Sequence, residues 1–182
     1  MKSATQLPAA DTPGDAGLIT IYSNLGSGNN VYNGNEGNGI VGPDAGQLYM
    51  EWIGNRFSPA ADYTVTEIKV GVTYVQGPNA VTLSLNENNH DTPGKALHTW
   101  QLSNLPEFGT CCVLQTVKLT QGIPVQKGKF YWVVLSTNSK TEKTYDVWNG
   151  DADGHEGPWS NDIGEGWATS YQQRNAFGVF GH

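Results

Sequence analysis

The chain has 182 residues, a formal net charge of -7, only 15% charged residues, 23 glycines and 6 Trp, 8 Tyr and 5 Phe. That length is one domain with room for a real core, and the charge-poor, Gly- and aromatic-rich composition fits an all-β extracellular domain better than a helical cytosolic enzyme. The acidic balance, with no Lys/Arg cluster, argues against a nucleic-acid partner or an anionic membrane surface, and no apolar run approaches the ~18 residues of a membrane span.

Residues 1–17, rich in Pro and Gly and poor in apolar side chains, read as a loosely attached lead-in to a single domain over 18–182. Their first residues lack the apolar centre of a signal peptide. "LITIYSN" (18–24) reads as a strand, followed by a Gly/Asn segment (26–46) too poor in apolar residues to be core, and then by "LYMEWI" (48–53) as a second strand. From residue 64 the alternation is clean. Ile68, Val70, Val72 and Tyr74 face one way, and Glu67, Lys69, Gly71 and Thr73 the other, which predicts antiparallel strands in a sheet solvated on that polar face. "QGPNA" (76–80) is a turn, and Val81, Leu83 and Leu85 continue the pattern. "NENNHD" (86–91) reads as a loop tip, with a turn at Pro93 and Gly94. Further strands are expected over 96–102, 112–119, 129–136, 144–148, 166–171 and 175–180, with no helical period anywhere. The expected fold is an all-β, antiparallel β-sandwich, jelly-roll-like, with long Gly/Asn-rich loops.

Cys111 and Cys112 are adjacent and are the only cysteines. In a regular strand their side chains would face opposite sides and could not meet. After Pro106 and Gly109 they sit instead where a loop enters a strand, and there they can close on each other as a vicinal disulfide. Two free thiols are the other reading. So small a loop adds little chain-entropy stabilisation, so global stability is a poor reason for the pair.

The stretch "DVWNGDADGHEGPWSNDIGEGW" (146–167) is the densest in polar and aromatic residues. Asn149, Asp151 and Asp153 alternate ahead of Gly154, like the start of an oxygen-ligand loop, and Ca2+ is the candidate ion because it takes about six to eight oxygens. The twelfth residue of that loop is Ser160 rather than Glu, so it is no EF-hand, and a solvated acidic turn is the competing reading. Trp148, Trp159 and Trp167 bracket the stretch. An indole face stacks on the C–H face of a sugar while Asn161 and Asp162 would bond its hydroxyls. Trp159, expected in a loop, is the leading platform; Trp52, Trp100 and Trp132 are assigned to packing.

Several segments form an ordered set: "TIYSNLG", "FSPAADYTVTEIKVGVTYVQGPNAVTLSLNEN", "TPGKALHTWQLSNLPEFGTCC", "GIPVQKGKFYWVVLS", "DVWNG" and "NAFGVFG". The set resembles the choice-of-anchor family, R type, of secreted bacterial β-sandwich domains, over about residues 18–181. Members carry signal peptides and often end in a cell-surface sorting segment. The resemblance implies a sandwich fold and export, so a secreted or cell-surface location is expected, with the native leader outside this sequence. It supplies no reaction and no catalytic residues.

No nucleophile-elbow or zinc-ligand spacing occurs, and His90, His98 and His155 are too scattered to form a ligand set. The expectation is a monomeric, non-catalytic module that binds carbohydrate or a similar cell-surface polymer. A structural surface domain without a small ligand is the alternative, and a small glycan-active hydrolase the third reading.

Overall fold

Thirteen strands and no helix make up the described residues, 17–182, of the computed structural model. They are β1 (Ile19–Ser23), β2 (Asn33–Val41), β3 (Trp52–Phe57), β4 (Tyr63–Val70), β5 (Val72–Gln76), β6 (Ala80–Asn89) and β7 (Thr92–Ser103). After them come β8 (Gln115–Val125), β9 (Tyr131–Ser136), β10 (Tyr145–Gly150), β11 (Glu156–Asp162), β12 (Trp167–Gln173) and β13 (Phe177–Gly181). The lead-in expected at residues 1–17 lies outside the described residues, apart from Gly17.

Three antiparallel sheets result, in the orders β1-β13-β4-β8, β2-β10-β5 and β12-β11-β3-β9-β6-β7. The two smaller sheets join end to end where β4 passes through Gly71 into β5. There Gly71 N–H donates to Ala176 O (3.1 Å), Ala176 N–H to Asn149 O (2.8 Å), and Asn149 N–H to Gly71 O (2.8 Å). These three bonds satisfy backbone groups that the sheet boundary would otherwise leave unpaired. The joined pair is one layer of a β-sandwich and the six-stranded sheet is the other. Ile68, Val70, Val72, Trp148 and Phe177 from the first layer share one apolar cluster with Leu83, Leu85, Val133, Leu135 and Trp159 from the second. The all-β sandwich expected from the alternation is the fold.

Several local expectations change. The Gly/Asn segment contains β2, and Tyr32 (1% exposed) and Ile40 (0%) are core. Glycine itself makes this possible, since a Cβ at Gly71 would stand 2.7 Å from the Tyr32 ring. The supposed solvated face of β4 and β5 is covered: Thr73 is buried, and Glu67 is buried between Lys69 (3.0 Å) and Lys118 (3.6 Å). The turn expected at Pro93–Gly94 falls three residues earlier. His90 (φ 49°) and Asp91 (φ 65°) form it between the paired Asn89 and Thr92. Two consecutive left-handed residues match the right-handed twist of a two-residue hairpin. Pro93 then lies in β7 beside a register shift, where its missing N–H costs little.

Candidate functional site

The tryptophans do not form an exposed platform. Trp159 sits in β11, not in a loop, and is 4% exposed within the core; Trp148 is 0% exposed and donates its indole N–H to Ala176 O (3.0 Å). "GPW" looks like a loop, yet Pro158 lies one residue before β11 begins to pair with β3, so the strand tolerates it. Trp167 is half-buried opposite Asp162. Asp162 Oδ1 accepts Gly164 N–H (2.8 Å) and Gly166 N–H (3.0 Å), closing the β11–β12 hairpin, and Asn161 donates to Glu51 Oε1 (3.0 Å). Trp148 and Trp159 therefore offer no open surface to Asn161 and Asp162, whereas half-buried Trp167 stands across the hairpin from Asp162. Trp132 is buried, as expected for packing.

The acidic loop is likewise closed on itself. Asp151 is 1% exposed. Its Oδ1 accepts Asp153 N–H (3.0 Å) and His155 N–H (3.0 Å), while Oδ2 meets His155 Nδ1 (3.0 Å) and Asn24 Nδ2 (3.3 Å). A carboxylate has about four lone-pair positions, and four partners occupy them. Asn149 is also spent, accepting from Thr73 Oγ1 (2.9 Å) and donating to Asn33 O (3.1 Å). Only exposed Asp153 of the proposed Ca2+ trio keeps a free carboxylate, and among the described residues no His/Cys/Asp/Glu group of three or more is placed to hold a metal. Asn149 and Asp151 act as structural locks. The first carboxylate of this acidic loop is buried rather than solvated.

Cys111 and Cys112 lie within disulfide distance of each other, joined by a cis peptide bond. Cys112 Sγ accepts Val31 N–H (3.3 Å), and Cys111 Sγ packs on Tyr32 O (3.2 Å). The segment leading to the pair crosses from one edge of the three-stranded sheet to the other. At the β5 edge Tyr74 N–H donates to Pro106 O (2.7 Å) and Phe108 N–H to Tyr74 O (2.8 Å); at the β2 edge Gly109 N–H donates to Gly34 O (3.1 Å). Tyr32 OH accepts Val113 N–H (3.2 Å) just beyond the cysteines. The pair thus fastens a strap across this sheet, and the strap carries Phe108, which is 42% exposed.

Beside the strap, the outer face of β2-β10-β5 holds a groove. In β10, Asp146 and Trp148 are buried, while Tyr145 and Val147 line the groove. In β2, Val41 pairs with Tyr145 and Gly39 with Val147; Gly39 and Gly37 present no side chain, and the Tyr145 ring reaches diagonally to Gly39. Three depressions of about 190, 450 and 260 Å³ run together here. The first and second share Gly39 and Tyr145, and the second and third share Glu36 and Gly37. Leu48 (99% exposed), Tyr49 (55%) and Glu51 stand at one end, Phe108 and Val75 at the middle, and Gln172, Gln173 and Arg174 at the other. Burial pushes the Glu51 carboxyl up, against the pull of the Asn161 hydrogen bond. The surface can present flat apolar faces at its centre and hydrogen-bonding groups at both ends.

Sequence reasoning found β10 but credited its buried tryptophan rather than its outward tyrosine. The usable signal was joint: Tyr145 and Val147 two apart in one strand, Gly37 and Gly39 two apart in its neighbour. No known family model, curated protein or solved structure matches this chain.

Proposed function

We propose that this is an exported, non-catalytic module that binds carbohydrate along the groove of the β2-β10-β5 sheet. The observation that carries the reading is the Tyr145 ring reaching to Gly39, with Phe108 lining the same depression and amide, carboxylate and guanidinium groups at the two ends. A sugar ring needs such a combination, a flat apolar face for its C–H groups and polar partners that replace water at its hydroxyls. Export is supported by the cysteine pair, since a disulfide persists in oxidising compartments. The resemblance to choice-of-anchor domains points the same way. The test is retention of the purified protein on a glycan array and on a panel of insoluble polysaccharides, with release of soluble sugar measured on the same panel. Retention without release is the expected result. Release would favour a hydrolase, and no retention anywhere would favour a structural surface domain.

A further inference from the structure

The form of the groove says what kind of glycan it fits, an inference that rests on the carbohydrate-binding reading above. The three depressions follow one another along β10, sharing lining residues at each junction. From Tyr145 to Gly150 the strand advances about 17 Å at ~3.3 Å per residue, which is room for more than one sugar. The two ends differ: Leu48 and Tyr49 offer apolar surface, and Gln173 and Arg174 offer donors. Glycines lie at both junctions of the central depression, Gly39 toward the first and Gly37 toward the third, so no side chain from these positions stands between them.

Charge narrows the class. The first two depressions are lined by Glu51 and Glu36 with no Lys or Arg, and Arg174 at the far end is the lone cationic lining residue. The Arg174 guanidinium is already engaged by the Tyr22 hydroxyl. The chain as a whole carries -7. A polyanion entering this groove would meet like charge with one partly committed cation to offset it.

We propose that the groove between Tyr49 and Arg174 binds an internal stretch of a linear glycan that is neutral or carries amino groups, with the central sugar on Tyr145, and that it rejects acidic glycans. Calorimetric titration of the full chain tests this with three sets of probes: neutral gluco-, xylo- and manno-oligosaccharides from mono- to hexasaccharide, chitosan oligomers over the same lengths, and oligogalacturonides. A preferred neutral or amino series should bind its trisaccharide at least tenfold more tightly than its monosaccharide, then level off. Reduction of the terminal sugar of the longest oligomer should leave its affinity unchanged, and oligogalacturonides should not bind. Equal affinity for monosaccharide and hexasaccharide, or loss of binding on end reduction, would overturn the internal-stretch proposal while leaving carbohydrate binding in place. Preference for oligogalacturonides would overturn the charge argument. Absence of heat in every series, repeated on the immobilised polymers, would overturn the carbohydrate reading and this inference with it.

Discussion

The ring of Tyr145 lies against Gly39 across the β2–β10 pair, so closely that a Cβ at Gly39 would stand 3.2 Å from Tyr145 Cε2 and 3.1 Å from Val41 Cγ2. A glycine in a strand interior usually weakens it, but an aromatic from the neighbouring strand can cover the gap. Here Cε2 and Cδ2 of the ring meet that gap, and Tyr145 lines the groove. Gly39→Ala should tilt the ring and weaken glycan binding severalfold, with stability changed by no more than about 1 kcal/mol. Titration of the variant against the best oligosaccharide, beside a thermal melt, checks both halves.

A disulfide here has a functional consequence through the strap. Intact mass in denaturant with a thiol-blocking reagent should show no blocked thiol until a reductant is added. Since Cys112 Sγ and Cys111 Sγ hold the strap against Val31 and Tyr32, Cys111→Ser combined with Cys112→Ser should free Phe108 and weaken glycan binding more than it lowers Tm. Two blocked thiols in freshly made, unreduced protein would refute the pairing.

Asp146 makes the fold pH-sensitive. It is 0% exposed, its Oδ2 has no partner, and burial pushes its carboxyl up to about 7, opposed by the bond from Val75 N–H to Oδ1 (3.1 Å). Below about pH 4 the group is protonated both folded and unfolded and imposes no penalty. Between there and pH 7 the unfolded chain releases its proton while the fold retains it, so stability falls as pH rises, and above pH 7 the loss is complete. The loss is a few kcal/mol at most. Asp146→Asn keeps an acceptor for Val75 and cannot ionise, so its Tm at pH 8 should exceed wild type, and the gap should close by pH 4. Melts across that range decide it, and a variant less stable than wild type at pH 8 would refute the account.

Asp151 should behave as a structural residue. Asp151→Ala strands donors from Asn24, Asp153 and His155 around a buried site and should cost about 2–4 kcal/mol. Because those donors already occupy the carboxylate, millimolar Ca2+ or a chelator should leave the wild-type Tm in place. A Ca2+-dependent rise that Asp151→Ala abolishes would reinstate the metal-loop reading.

The sandwich was legible because burial imprints a period of two wherever apolar residues are plentiful, as at Ile68, Val70, Val81 and Leu83. Strands without that imprint escaped. β2 is rich in Asn and Gly and is held by pairing with β10, while β11 carries Gly157-Pro158 among its first paired residues and is fixed by its neighbours on both sides. Both are tertiary effects that overrule local preference. Composition drew attention to the tryptophans, but large aromatics are as useful inside a core as on a binding face, and only the register of β10 and β11 distinguishes the two. Tyr145 was passed over because its partner in the site, Gly39, lies more than a hundred residues earlier in the chain.

Affinity electrophoresis of wild type, Tyr145→Phe and Tyr145→Ala through gels containing the retained polysaccharide tests the central claim most directly. Wild type and Tyr145→Phe should be retarded alike, since the stacking ring is kept. Tyr145→Ala should lose about 1–3 kcal/mol of binding and run as in an empty gel, with a Tm within a few degrees of wild type. Retardation of Tyr145→Ala equal to that of wild type would contradict the account.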